Sequence, residues 1–197
     1  MPEIESEKLI LAQNGNVDAF SEIVNVHQNA VYNLCYRMLG DPYEAEDAAQ
    51  ETFLRAYKAM KSFDRKRSFS TWLLSIAAHY CIDTLRKRRL NIIHIEDTPY
   101  LEIPDPGSNP ETSLTESEQQ KRIRSLLNVL SDTDRAIVIM YYWYEFSYEE
   151  IAKALKLSTS AVKSRIHRAR SQLAKSWVER KQTLSGLERQ TYESQAL

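Results

Sequence analysis

Glycine is scarce in this chain, with four in 197 residues. A β-rich fold built on tight hairpins asks for more. Alanine, leucine, glutamate, lysine and arginine dominate the long capped segments, so an almost all-helical protein is expected. Cysteine is scarcer still: Cys35 and Cys81 are the whole supply. They sit in apolar helical patterns, far apart and without paired-thiol spacing, which points to buried free thiols in a reducing cytoplasm. No apolar run approaches the roughly 18 residues of a membrane span, and no signal peptide opens the chain, so a cytoplasmic protein without membrane insertion is expected. A nucleophile elbow, a phosphate-cradling glycine loop and a zinc-hydrolase signature are all missing. Catalysis would need unrecognisable parts, and no cofactor is expected. His79 and Asp83 share a helix face, but Cys81 points away from them and no third ligand is in view, so a metal site is discounted.

Net charge is also nearly absent, at −1. The balance hides an uneven distribution. From Lys61 to Arg89 eight Lys/Arg stand against Asp64 and Asp83, and from Ala161 to Lys181 seven stand against Glu179. Between them, from Asn91 to Gln120, there are seven acids and no Lys/Arg. Two basic blocks separated by an acidic one fit two DNA-facing modules joined by a spacer that avoids DNA. An apolar content of 43% is enough for one large core or two small ones.

The patterning begins with Ile4, Leu9, Ile10 and Leu11, a short helix that stops at Asn14-Gly15. Asp18 is placed to cap the next segment, whose Phe20, Ile23, Val24, His27, Val31, Leu34, Cys35 and Met38 hold helical spacing, with a break possible near Asn29. A lone histidine such as His27 reads as a packed residue. Gly40-Asp41-Pro42 combines a helix stop, an N-cap and a proline at the first helical position, so a helix follows to about Met60. One of its stripes is a packing face of small residues, from Ala45 to Met60. The other carries Asp47, Gln50, Glu51 and Leu54, and two readings stay open for it: an exposed leucine of the common kind, or a docking surface with an apolar centre and an acidic rim. A polar, basic loop from Phe63 to Ser68 then leads into a helix carrying Trp72, His79 and Arg86. Arg65, Lys66 and Arg67 interleaved with aromatics fit a surface that stacks on unpaired bases and grips their backbone, although Phe69 and Trp72 also read as core. Phe63 and Phe69 are expected to anchor the loop.

Residues 93–116 lose all periodicity and gather prolines among acids, which marks a linker. Helical pattern returns near Thr115, with Ile123, Leu126, Leu127 and Leu130 on one face, and Ser131 opens a helix through Tyr144. Ser147 and Glu150 then form a capping box. A short helix buries Ile151, Ala152 and Leu155, Leu157 plugs a turn, and Ser158 caps a second helix whose Val162, Ile166, Ala169, Leu173 and Trp177 make one buried stripe. On its opposite side lie Ser160, Lys163, Ser164, His167, Arg168 and Ser171. This is a helix-turn-helix with a donor-rich face suited to base edges, flanked by Arg165 and Arg170 where phosphates would lie. The fold expected is therefore all-α: two small helical domains, residues 1–92 and 117–181, joined by a flexible acidic linker, the second ending in the helix-turn-helix. A polar tail, 182–197, is expected to fray.

These residues resemble a bacterial RNA polymerase sigma factor of the small, two-domain extracytoplasmic-function (ECF) subgroup. The matching stretches are Asp18-Ala19-Phe20, Tyr36 to Asp41, Glu44 to Phe53, Phe69 to Leu73, and Leu130-Ser131 through Arg170. The resemblance implies binding to core RNA polymerase and promoter-specific initiation, in a stress or envelope response, with promoter DNA and an anti-sigma factor as further partners. It puts Asp47, Gln50, Glu51 and Leu54 where such factors dock on the polymerase clamp. Arg65, Lys66, Arg67, Trp72, His79 and Arg86 fall where they capture unpaired bases of the downstream promoter element. Ser160, Lys163, Ser164, Arg165, His167, Arg168 and Arg170 fall where they read the upstream element. The family often has asparagine at the place of His79, and proline-x-glycine-threonine at Ser158-Thr159-Ser160-Ala161, so no promoter sequence carries over. The alternative is a free-standing helix-turn-helix regulator, which explains the C-terminal half equally well but not the second basic aromatic region or the acid-amide-leucine stripe.

Overall fold

The computed structural model describes the backbone of residues 6–96 and 118–194 and the side chains of residues 6–90 and 120–178. Among the described residues all regular structure is helical: α1 Ser6–Gln13, α2 Val17–Leu39, α3 Pro42–Ala59, a 3-10 turn Met60–Ser62, α4 Phe69–Glu96, α5 Glu118–Leu127, α6 Asp132–Trp143, α7 Tyr148–Leu155 and α8 Thr159–Ser194. The acidic segment expected as a linker lies outside the described residues, apart from its first four, which continue α4. No helix among the described residues is long and apolar enough to cross a membrane.

Helices α2, α3 and α4 form a bundle with α1 laid against α2. The cap of α2 is Asn16, whose side chain accepts from the Ala19 N–H at 2.9 Å; Asp18, the expected cap, falls inside the first turn. Gly15, at φ 91°, turns the chain one step earlier, so Asn16 takes the extended backbone that a cap requires. Helix α2 runs unbroken past Asn29. An exposed asparagine costs a helix less than about 0.7 kcal/mol, and the buried Val31 and Leu34 that follow offset it. Gly40 ends α2 at φ 79°, and a Cβ there would lie 3.0 Å from the Arg124 guanidinium nitrogen of α5. Asp41 caps α3 and Pro42 occupies its first turn, as expected. The buried Ala45, Ala48, Ala49 and Ala56 let α3 approach its neighbours closely, and the Thr52 hydroxyl donates to the Ala48 carbonyl.

Cys35 and Cys81 are free and fully buried, as expected. Distant in sequence, they meet in the core, and the contact with Cys35 together with burial pushes the Cys81 thiol up. His27 is 1% exposed, with its ring 5.5 Å from that of Phe69. Neither ring nitrogen finds a hydrogen-bond partner among the described residues. Burial lowers its pKa to about 4.

In the C-terminal region α5, α6 and α7 pack around the start of α8. Ala136 to Met140 of α6, Ile151, Ala152, Ala154 and Leu155 of α7, and Val162, Ile166 and Ala169 of α8 are buried together. Ser131 caps α6, accepting from the Asp134 N–H. The backbone of α8 continues as a helix to Ser194, into the segment expected as a polar tail. Gln182, Leu184, Leu187, Glu188, Arg189 and Gln190 are good helix formers that carry a nucleated helix past Gly186. Helix α6 also lies directly on α2 and α4, and α7 on α4.

Candidate nucleic-acid and polymerase interfaces

The helix-turn-helix is assembled by three local devices. The Ser147 hydroxyl accepts from the Glu150 N–H at 3.2 Å, while the Glu150 carboxylate accepts from the Ser147 N–H at 2.9 Å, completing the capping box. Lys156 then adopts a left-handed conformation at φ 55°, and the Leu157 N–H returns to the Ala152 carbonyl. Ser158 caps α8 by accepting from the Ala161 N–H. Burial of Val162, Ile166 and Ala169 fixes the rotation of α8, and Leu173 packs at the edge of the core. Trp177 does not join them. It is 53% exposed, because α8 has by then run past the helices it packs on.

That rotation turns Ser160, Lys163, Ser164, His167, Arg168 and Ser171 outward, and Lys163, Ser164, His167 and Arg168 line one open depression. The flanking arginines are less free than the sequence implied. Arg165 is half-buried and donates to Asp134 of α6 at 2.8 Å. Arg170 stays exposed but donates to the Tyr142 hydroxyl at 2.7 Å, its guanidinium over the Tyr141 and Tyr142 rings. Lys163 sits 5.6 Å over the ring of Tyr148. Such cation–π contacts orient a cation without neutralising it.

The second surface is the loop before α4. Phe63 and Phe69 are buried edge to face at 5.3 Å, and half-buried Trp72 lies 4.8 Å and 5.4 Å from them. Both phenylalanines therefore anchor the loop, as expected, and Trp72 leans on them. Asp64 accepts from the Lys66 N–H, a turn that exposes Arg65, Lys66 and Arg67. Sequence reasoning missed Gln13 of α1, whose side chain donates to the Phe63 carbonyl at 2.7 Å and the Met60 carbonyl at 3.3 Å. Helical spacing in so short a helix gives no sign of that reach. One or two turns along α4, His79 contacts the Ser75 carbonyl through Nδ1 at 2.7 Å. A carbonyl only accepts, so Nδ1 carries the proton and Nε2 of the neutral ring is an acceptor. Arg86, on the next turn of α4, pairs with Asp83 at 2.9 Å.

The third surface is the outer stripe of α3. Asp47 and Gln50 are exposed and Leu54 is 46% exposed. Glu51 is half-buried and pairs with Arg55 at 2.7 Å, and the Arg55 guanidinium lies 4.8 Å over the ring of Tyr80 in α4. Tyr43 and Tyr57, one at each end of the stripe, are also exposed.

All three surfaces fall within two matched segments. The family profile of Sigma-70 region 2 matches residues 23–90, and that of Sigma-70, region 4 matches residues 120–173. The chain is 39% identical over 170 residues to the ECF RNA polymerase sigma factor SigW of Bacillus subtilis (strain 168), a match covering 83% of this chain and 91% of that one. The chain belongs to the ECF sigma factors. A second relative from the same organism, ECF RNA polymerase sigma factor SigX, is 30% identical over 161 residues, covering 80% of this chain and 83% of the relative. Among solved structures, CnrH in complex with the cytosolic domain of CnrY superposes with a TM-score of 0.66 at 26% identity, over 87% of this chain and 96% of that one. Region 2 spans the bundle that carries the α3 stripe and the loop before α4, and region 4 spans the helix-turn-helix. Both regions of an ECF sigma factor are thus present in order, and the free-standing regulator loses its footing.

Proposed function

We propose that three surfaces divide the work of this ECF sigma factor, which binds core RNA polymerase and directs promoter-specific transcription initiation. The α3 stripe docks on core: Leu54 supplies an apolar centre, and Asp47, Gln50 and Glu51 supply the rim. Its opposite face is already filled by alanines, so Leu54 has no packing duty inside the bundle. That exposed leucine among acids and an amide is the observation that carries the docking assignment.

Promoter opening requires at least one base to leave the stack, at a cost of a few kcal/mol. The loop before α4 meets that cost with the cations Arg65, Lys66 and Arg67, the ring of Trp72 and the acceptor Nε2 of His79, while Arg86 holds backbone further along α4. The upstream element is read as duplex. Arg168, His167, Ser164, Lys163 and Ser160 face base edges from α8, and Arg165 and Arg170 steady the backbone from positions already fixed by Asp134 and Tyr142. The division of labour follows residues 1–92 for docking and the downstream element, 93–116 as acidic linker, and 117–181 for the upstream element, with 182–197 as a polar tail. No step calls for catalysis or a cofactor. The factor works in the cytoplasm beside the polymerase, in a stress or envelope response, and an anti-sigma factor holds it when idle.

The test is assembly. Asp47→Lys combined with Leu54→Ala should leave the helical signal unchanged and abolish both co-elution with core polymerase and transcription from a cognate promoter. Wild-type co-elution of that double variant would refute the docking assignment.

A further inference from the structure

Three tyrosines and two cations form one ladder across the helix-turn-helix. Lys163 of α8 holds its Nζ 5.6 Å over the ring of Tyr148, the first residue of α7. That ring stacks on Tyr141 of α6, with centroids 5.3 Å apart and planes 5° apart, and Tyr141 meets Tyr142 edge-on at 5.0 Å. The far end returns to α8, where Arg170 lies over both of those rings and donates through Nε to the Tyr142 hydroxyl at 2.7 Å. Lys163 and Arg170 stand about 10 Å apart along the helix axis. At roughly 100° per residue they share one stripe. It runs along the edge of the exposed face that carries Ser164, His167 and Arg168.

We propose that Tyr148 is a positioning residue for base choice in the upstream element, and that it acts through Lys163. A lysine is a point charge on a flexible four-carbon stem, so left free it pairs with whichever phosphate comes within reach. Such a contact carries no sequence information. Held over a ring, the ammonium keeps its charge and its donors but loses the wandering of its stem. It then meets the groove in one orientation, beside Ser164 and His167 in the same open depression. The ring must itself be still. Tyr141 backs it from α6, and the bond between Arg170 and Tyr142 ties the rings to α8, so the reading helix braces the device that orients its own lysine. The proposal rests on the upstream-reading role of α8, and it names what makes one of that helix's cations selective.

The test uses the full chain assembled with core polymerase. Wild-type holoenzyme first enriches a duplex from a library randomised across the upstream element. That duplex and a scrambled copy then compete for each variant at low and high salt. Tyr148→Leu and Tyr141→Leu should lower the preference for the enriched duplex about 2- to 5-fold, the range of an exposed cation–π contact. The freed lysine finds a phosphate instead, so the salt slope on the scrambled copy should steepen by about one contact. Tyr148→Phe keeps the ring and should keep the preference. In a Lys163→Ala background, Tyr148→Leu should change the preference no further. Unchanged preference in both leucine variants overturns the ladder. So does an equal loss on both duplexes for Tyr148→Phe, which would make the hydroxyl a phosphate contact of its own. An effect of Tyr148→Leu that persists without Lys163 also overturns it, because the tyrosine then serves the fold alone. If Lys163→Ala and Arg168→Ala both discriminate like wild type, it is the upstream reading that has failed.

Discussion

Gln13 of α1 holds the carbonyl of Phe63 at 2.7 Å, across fifty residues of sequence, so the first helix is a buttress for the basic loop. The bond fixes the backbone from which Arg65, Lys66 and Arg67 project. Gln13→Ala should lower stability by only about 1 kcal/mol while blurring base preference across the downstream element. Transcription from a promoter library randomised there measures it, and an unchanged preference would reduce Gln13 to a packing role.

His79 makes a sharper claim on the same element. With Nδ1 committed to the Ser75 carbonyl, Nε2 accepts, so the favoured unpaired base should offer an amino group. His79→Asn, which presents both donor and acceptor, should flatten that preference at one position without touching core binding. The same library decides it, and a preference for a base lacking an amino donor at every position would contradict the tautomer argument.

On the upstream side Arg168 and Arg165 should separate. Arg168→Ala should cost about 1–3 kcal/mol on a matched duplex and far less on a scrambled one, as loss of a bidentate base contact does. Arg165→Ala should instead lower thermal stability, because Asp134 loses a half-buried partner. Equal losses on matched and scrambled duplex for Arg168→Ala would remove it from base reading.

His27 predicts an acid weakness. Its folded pKa is about 4 and its ordinary value 6.5, so the unfolded chain takes up the proton first. The neutral ring contributes its full share of stability above pH 6.5, and that share is lost as pH falls towards 4, by at most about 1.4 kcal/mol per unit. Urea melts between pH 7.5 and 4.5 should show the decline, and His27→Leu should flatten it. Parallel slopes for the two proteins would mean that another group is responsible.

What the sequence made legible was local. Ser147 with Glu150, and Asp41 with Pro42, announce helix starts because each device lies within four residues, and the alternation of apolar positions on α8 gave its rotation. Even there Asn16 displaced Asp18 as a cap, since backbone conformation after Gly15, and not side-chain type, chose between two competent acceptors. Burial at the far end of a stripe depends on what stands opposite, which is why Trp177 emerged exposed. Contacts between regions had no local signal. Arg135 precedes an apolar run and reads as an ordinary first-turn arginine, and nothing in its neighbours points to its bond with the Met38 carbonyl, 97 residues away. The meeting of Cys35 with Cys81, and the partnering of Arg165 by Asp134, belong to the same class.

The buried thiols have a practical consequence. Cys35 and Cys81 face each other between α2 and α4, with no exposed surface. An aromatic disulfide reagent cannot reach either sulfur until those helices part, so its rate of reaction is a clock for opening of the bundle that needs no mutation or dye. Because both sulfurs lie on one seam, they should label together. If docking on the polymerase tightens the bundle, the clock should slow when core is added.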